Sequence, residues 1–483
     1  MTPAPKAAPG QGTRIPPFQV VGFALLIAGY FVFVTWGSMG VPFASDDMMN
    51  LAEHWRHGPF RMFYSNFLLW HDFYRPMGGV FYVPIFHFFG LNPLPYHIAL
   101  KGLVLVLIAL VYPLARGLGA SALESWFAAL IVAGHAGLVN LYFESSYIYD
   151  LLCAIFCAGA LLCYVRSRSL GRPLDGTSTA LFFTLFLCAL NSKEMAVTLP
   201  VMLLAYEWLY HGPPSAGRSL RRFAIPGIAG AMTAVFLYGR VFRGLGRQPG
   251  YLVDYSLTRL LSFQQRQFQA LFLQTDPSGG WAPIVLVWLA ATYFAWRRNR
   301  PLLRFCWIWI VLTPLPLEFL EGRGGATLAV PLLGWAILGA EAALGLARRI
   351  AQDMEGEPGF GRLRLPARLA LVTSGLVIAW AGLNKQRFES TLETYSTGLP
   401  TMEVIHQFQV LNPKARPHSM VVFLNDPFDS WDMSFIAELW FRDRTVAIRL
   451  QKKTPLTPAQ LARADYVFDW RGGRLIAVGG TAR

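Results

Sequence analysis

The residues whose types and spacing could do chemistry open and close one polar stretch near the start of the chain. From Ser45 to Pro76 it reads SDDMMNLAEHWRHGPFRMFYSNFLLWHDFYRP, with Asp46 and Asp47 at its head and Arg75-Pro76 at its end. A carboxylate can take a proton from a hydroxyl, and a guanidinium can hold an anion through paired N–H donors. Acids and bases of the same kind recur further on at Glu144, Lys193, Glu194, Arg240, Arg243, Glu318 and Arg323. Gathered on one face, they would put a general base beside an anion site.

Each of these residues also has a plainer reading. Asp is a preferred N-cap, so Asp46-Asp47 could start the helix that follows at Met48. Neighbours in the chain diverge on a helix or a strand, so only one of the pair need enter a site. Glu144 could be an interfacial residue, Lys193-Glu194 a solvated turn and Arg323 a snorkelling anchor. His54, His57 and His71 lack metal spacing and read as surface or packing residues. Asp426, Asp429 and Asp432 read as caps and turns rather than a cation loop.

The elements that must position these groups are membrane spans. The chain has 483 residues, 54% of them hydrophobic and only 14% charged, and its mean hydropathy is +0.39. Apolar runs of roughly 18 residues or more recur along it, which predicts an all-α polytopic membrane protein with about eleven transmembrane helices. The excess of 42 Lys and Arg over 28 Asp and Glu falls in short loops on alternate sides. That is the positive-inside pattern, so nucleic acid is not a partner. The five cysteines lie within apolar runs and mark neither a disulfide framework nor a metal site. Residues 1–17 read as a disordered cytoplasmic N-terminus. Residues 18–384 form the transmembrane domain, with its first outer loop at 39–79. The hairpin of spans at about Thr177–Leu190 and Ala196–Leu209 turns outside at Asn191–Glu194. From 385 to 483 the composition becomes that of a small extracytoplasmic α/β domain, with strands expected near Val421–Leu424, Thr445–Leu450 and Tyr466–Trp470.

An acidic pair after the first span, Tyr74-Arg75-Pro76 closing the first outer loop, and a Lys-Glu tip followed by an apolar run to Pro200 together resemble the GT-C glycosyltransferases. The resemblance is nearest in flavour to the O-mannosyltransferases and their bacterial relatives, and Arg323 to Gly334 resembles a further segment of that pattern. It covers Phe18 to Ala347 and is carried by the order and sidedness of short motifs. GRGGATLAVP departs from it in lacking a Tyr before the Pro, and no tetratricopeptide repeats follow the last span.

The resemblance implies an integral membrane enzyme of a bacterial inner membrane. It would move a sugar from a polyprenyl-phosphate carrier to a hydroxyl of a glycan, lipid or protein on the extracytoplasmic face. Asp46 would be the general base with Asp47 beside it. Arg75, Lys193, Arg240 and Arg323 would bind the donor phosphate, supported by Glu144 and Glu194. The carboxylates could instead hold a divalent cation, Mg2+ or Mn2+; several cationic side chains around a phosphate need none. The rivals are a transporter or flippase for lipid-linked saccharides, which would want ionisable groups near mid-span, and an assembly subunit.

Overall fold

The computed structural model describes residues 16–67, 75–212, 220–239, 252–273, 280–320, 325–357, 359–360, 362–396 and 400–480. Long apolar sequences make most of its helices, some with an internal proline (Pro84, Pro113) or a kink (Gly58), and local chemistry sets their ends. α1 (Pro17–Thr35) starts on a proline, whose missing N–H costs nothing in the first turn. It continues as a 3-10 turn over Trp36–Gly40 before α2 (Ser45–Phe67). α3 (Gly78–Phe89) stops at Gly90, whose φ of 58° suits a residue without a Cβ. α4 (Pro93–Gly117) is capped by Asn92, which accepts from the Leu94 N–H. α5 (Ala122–Val132) opens on a reciprocal capping box between Ser121 and Glu124.

The apolar run from about Ala122 to Leu141, which by hydropathy reads as one span, the third of about eleven, is interrupted. After α5 the chain turns at Gly134, φ 119°, into short turns at Ala136–Leu138 and Asn140–Phe143. α6 (Ile148–Ser169) then runs through the centre, packed against α4 and against α7 (Gly176–Leu190). The hairpin between α7 and α8 (Leu199–His211) turns through a 3-10 segment at Glu194–Thr198. There follow α9 (Ala224–Tyr238), the amphipathic α10 (Leu257–Phe272), α11 (Ala282–Arg297) and α12 (Pro301–Leu312). Pro314 begins a separate short helix at Leu315–Glu318, and α13 (Ala329–Asp353) and α14 (Leu365–Ser396) complete the bundle.

Among the described residues six helices are long and apolar enough to cross a membrane, judged by length and composition: Phe18–Gly40, Pro93–Gly117, Ser145–Ser169, Pro301–Glu318, Ala326–Gly356 and Leu365–Leu392. Four shorter apolar helices, α3, α5, α7 and α11, accompany them. The figure of about eleven spans is thus not reached by that measure, because turns shorten several of the apolar runs.

The change of composition at Asn384 is not a break in the chain. α14 passes straight through it, and Asn384 is buried, accepting from the Ala136 N–H at 2.8 Å. After α15 (Pro400–Leu411) comes a four-stranded sheet in the order β2-β1-β3-β4. β1 (Met420–Phe423) is parallel to both β2 (Ala447–Leu450) and β3 (Tyr466–Arg471). α16 (Asp432–Phe441) lies between β1 and β2 in sequence, as a parallel pair requires. β4 (Arg474–Gly480), not expected from the sequence, returns antiparallel to β3 through Gly472-Gly473, both at positive φ as a tight hairpin needs. This unit rests on α2: Arg56 Nη2 meets Glu438 Oε2 at 2.7 Å, and Arg444 donates to the Trp55 carbonyl at 2.7 Å while lying over its ring.

Candidate active site

The first turn of α2 separates the two aspartates, as the divergence of chain neighbours requires. Asp47 is buried and both its oxygens are occupied. Oδ2 accepts from the Ala44 N–H at 2.8 Å, the reach-back half of a capping box. Oδ1 accepts from Ser145 Oγ at 2.8 Å and from the Ser146 N–H at 2.6 Å, tying α2 to the chain entering α6. Burial nevertheless raises the Asp47 carboxyl to about 6, against those three hydrogen bonds. Asp46 is exposed, and its carbonyl accepts from Asn50 Nδ2 at 2.7 Å.

A chain of contacts leads from the main-chain carbonyl of Asp46, through Asn50, to Tyr149 and Arg75. The Tyr149 hydroxyl donates to Asn50 Oδ1 at 2.9 Å and lies 2.8 Å from His54 Nε2. With its proton given to Asn50, that hydroxyl accepts from His54, which fixes the Nε2–H tautomer. Burial lowers the His54 pKa to about 3, so the ring is neutral. The Arg75 guanidinium sits over the Tyr149 ring, 5.4 Å from its centroid, and Nη2 donates to Glu194 Oε2 at 2.9 Å. Arg75 holds φ at 48°, a conformation that L residues avoid at a cost on the order of 1–3 kcal/mol. Close approach maintains this geometry: a Cβ on Gly78 would fall 2.3 Å from Tyr149 Cε1 and 2.6 Å from His54 Nε2. Glycine at that position is a steric requirement.

Lys193 is buried and its Nζ donates to Asp150 Oδ2 at 2.7 Å, a contact internal to the fold. Burial, with the nearby charge of Arg75, lowers its pKa while Asp150 and Glu194 oppose the shift. Glu144 is also buried, and its Oε2 accepts from Ser146 Oγ at 3.3 Å. Burial, with the Asp47 charge second, raises its carboxyl from 4.5 to about 8. The folded state therefore keeps this proton where the unfolded chain has released it. Stability should fall as pH rises from about 4.5 towards 8 and level off above that. Glu144→Gln should flatten this fall, so that its advantage over the parent grows across the window. Thermal unfolding in detergent at a series of pH values checks this; parallel curves would show that Glu144 is ionised in the fold.

Six of the expected residues are thus held in neighbouring contacts: Asp47 and Glu144 through Ser145 and Ser146, Arg75 with Glu194, Lys193 with Asp150, and Asp46 through its main-chain carbonyl. Glu318 lies close by: it accepts from Gln264 Nε2 of α10 at 2.6 Å, and its short helix packs on the turn that begins at Glu194. Arg240, Arg243 and Arg323, with Tyr74 and His71, lie outside the described residues. Sequence reasoning did not single out Asn50, Ser145, Tyr149 or Asp150. Only Asp150 carried a signal, being an acid inside an apolar run.

Beside this layer α5, α10, α11, α13 and α14 line a half-open apolar cavity of about 730 Å³, bordered among others by Leu130, His135, Leu273, Ala291, Trp335 and Trp380. His135 closes one end. Its Nδ1 accepts from the Gly137 N–H at 3.1 Å, its other nitrogen bonds the Leu271 carbonyl, and burial lowers its pKa to about 4. The end of α10 presses on the same turn, since a Cβ on Gly137 would fall 2.2 Å from the Ala270 carbonyl oxygen. That turn leads through Asn140–Phe143 to Glu144, so cavity and carboxylate layer share a wall.

No protein-family model matches the chain, and no curated protein matches it. Solved structures do. ArnT from Cupriavidus metallidurans bound to undecaprenyl phosphate is similar over 97% of this chain and 99% of its own, with a TM-score of 0.53 and 14% identity. Its apo state gives 0.53 over 92% and 89%, at 14% identity. The archaeal oligosaccharyltransferase AglB from Archaeoglobus fulgidus, in complex with an inhibitory peptide and a dolichol-phosphate, gives 0.51 at 13% identity over 94% of this chain and 69% of its own. At such identities the likeness is one of fold: the chain has the GT-C fold that its motifs resemble.

Proposed function

We propose that the protein is an integral membrane glycosyltransferase that takes a sugar from a polyprenyl-phosphate donor and passes it to an acceptor hydroxyl on the extracytoplasmic face. The observation that supports this most is the linked series Asp46–Asn50–Tyr149–Arg75. Through the Asp46 main-chain carbonyl it ties the turn that bears this exposed aspartate to the Arg75 guanidinium, while Asp47 is held in hydrogen bonds, which supports Asp46 as the free carboxylate beside the anion site. Asp46 takes the proton of the acceptor hydroxyl as its oxygen bonds to the anomeric carbon. The bond from that carbon to the phosphate oxygen breaks, and its electron pair leaves with the polyprenyl phosphate. Arg75 binds the departing phosphate, aided by Arg240 and Arg323. The buried pair Lys193–Asp150 positions the tip that bears Glu194, the partner of Arg75. The apolar cavity suits the polyprenyl tail, as undecaprenyl phosphate and dolichol-phosphate are bound by the two neighbours.

The described residues offer no ready set of ligands for a divalent cation. Asp47 already accepts three protein donors, and among the described residues no three His, Cys, Asp or Glu side chains converge as a metal requires. The proposed steps accordingly rest on this chain's own residues.

The purified protein should turn over a labelled polyprenyl-phosphate sugar in the presence of cell-envelope acceptors. Arg75→Ala should weaken donor binding several-fold or more, a charge-assisted contact being worth on the order of 1.5–3 kcal/mol. Arg75→Lys should restore it only in part, because the planar fork is lost. Movement of intact donor across vesicles without transfer would favour a transporter or flippase instead. Unchanged donor affinity in Arg75→Ala would remove Arg75 from the site.

A further inference from the structure

A second cavity, of about 440 Å³, lies away from the carboxylate layer between the end of α3, the turn into α4 and the C-terminal unit. Phe86, Phe89, Trp440 and Phe441 contribute its aromatic walls, and Lys414 and Arg442 its charges. No carboxylate lines it, and among the described residues neither cation has an ion-pair partner. Arg442 is held in place by its surroundings. It ends α16 at φ 53°, and its guanidinium lies 4.8 Å from the centre of the Phe86 ring. Its Nη2 comes within 3.0 Å of where a Cβ on Gly90 would stand, so the turn at Gly90 leaves room for it. Two cations in an aromatic cleft without an acid have the chemistry to hold an anion.

The mouth of this cleft points to the source of the anion. It opens where α4, one of the six candidate spans, begins. Large apolar side chains stand exposed on both sides: Phe88 and Leu94 at the helical rim, Val410 and Leu411 on the C-terminal unit. A span mouth edged by such residues lies at the boundary between headgroups and acyl chains. We propose that this cleft binds the phosphate of an anionic membrane phospholipid, whose acyl chains lie against the exposed rim. The lipid would clamp the C-terminal unit onto the helical layer. Arg442 is one turn beyond Glu438, which pairs with Arg56 on the same α2 that carries Asp46. The proposal does not depend on glycosyl transfer.

The test uses full-length protein in a zwitterionic detergent, with lipid retention read by native mass spectrometry. Phosphatidylglycerol should be retained on the order of tenfold or more over phosphatidylcholine. Lys414→Gln combined with Arg442→Gln should abolish that preference while leaving thermal stability in lipid-free detergent near the parent's. Arg442→Lys, which keeps the charge, should keep most of the preference and guards against a folding defect in the double variant. Equal retention of the two lipids, or a preference that survives the double variant, would overturn the site. Displacement of phosphatidylglycerol by equimolar inorganic phosphate would overturn the lipid assignment in favour of a soluble anion.

Discussion

Lys193→Ala should destabilise the folded protein by about 3–5 kcal/mol, the usual cost of leaving one member of a buried ion pair alone. Lys193 and Asp150 are both almost wholly buried and meet at 2.7 Å. Removing the ammonium would leave the buried Asp150 carboxylate of α6 without its ion-pair partner. Replacing both, as Lys193→Met with Asp150→Leu, should recover most of the loss, because an apolar pair of similar volume carries no desolvation penalty. The same double variant separates two roles. If the pair only positions the tip, Arg75 and Glu194 stay in place and donor affinity remains within about twofold of the parent; if Lys193 itself grips phosphate, affinity falls by the several-fold expected of a lost charge-assisted contact. Thermal unfolding and donor titration on the three proteins decide between them. Stability little changed by Lys193→Ala would show that the pair is not buried as described.

The sequence made the layer legible but not its internal bonding. Asp46-Asp47, Arg75, Glu144 and Lys193-Glu194 stand out because charge is costly at the mouth of an apolar run, and that cost does not depend on tertiary detail. What Lys193 bonds to depends on helix packing: Asp150 is remote in sequence and reaches Lys193 only because α6 and α7 are neighbours. Tyr149 and Asn50 were hidden for the same reason, since a Tyr or an Asn says nothing until a partner faces it. The strands behaved similarly. β1 and β3 are short runs rich in Val, Phe and Tyr that look like strands, and both form, though their parallel pairing was not legible. β4 reads RLIAVGG, and its place at the sheet edge comes from the Gly472-Gly473 turn. The third apolar run looked like a full span because hydropathy does not register that Gly134 turns the chain. That turn is stabilised by His135 and Asn384, the latter from a helix some 250 residues away.

Asp46→Asn should cut sugar transfer by roughly a hundredfold or more while leaving the fold and donor affinity intact. The substitution is nearly isosteric, and the Asp46 side chain is exposed, so little packing is lost. Asp47→Asn should behave in the opposite manner. Its oxygens accept from Ala44, Ser145 and Ser146, and an amide would turn an N–H donor towards at least one of these donors. Melting temperature should therefore drop in Asp47→Asn more than in Asp46→Asn, with a smaller loss of turnover. The pH dependence gives an independent reading. Were Asp47 the base, transfer would decline as pH falls through about 6, where its buried carboxyl takes up a proton, and Asp47→Asn would abolish that decline along with the activity. With Asp46 as base, an inflection near 6 reports only the loosening of the Asp47 anchor, and substantial activity survives Asp47→Asn. Transfer rate, donor affinity and melting temperature measured together on both variants distinguish the schemes. Near-parental turnover by Asp46→Asn would end the mechanism, and the reverse ranking would move the base to Asp47.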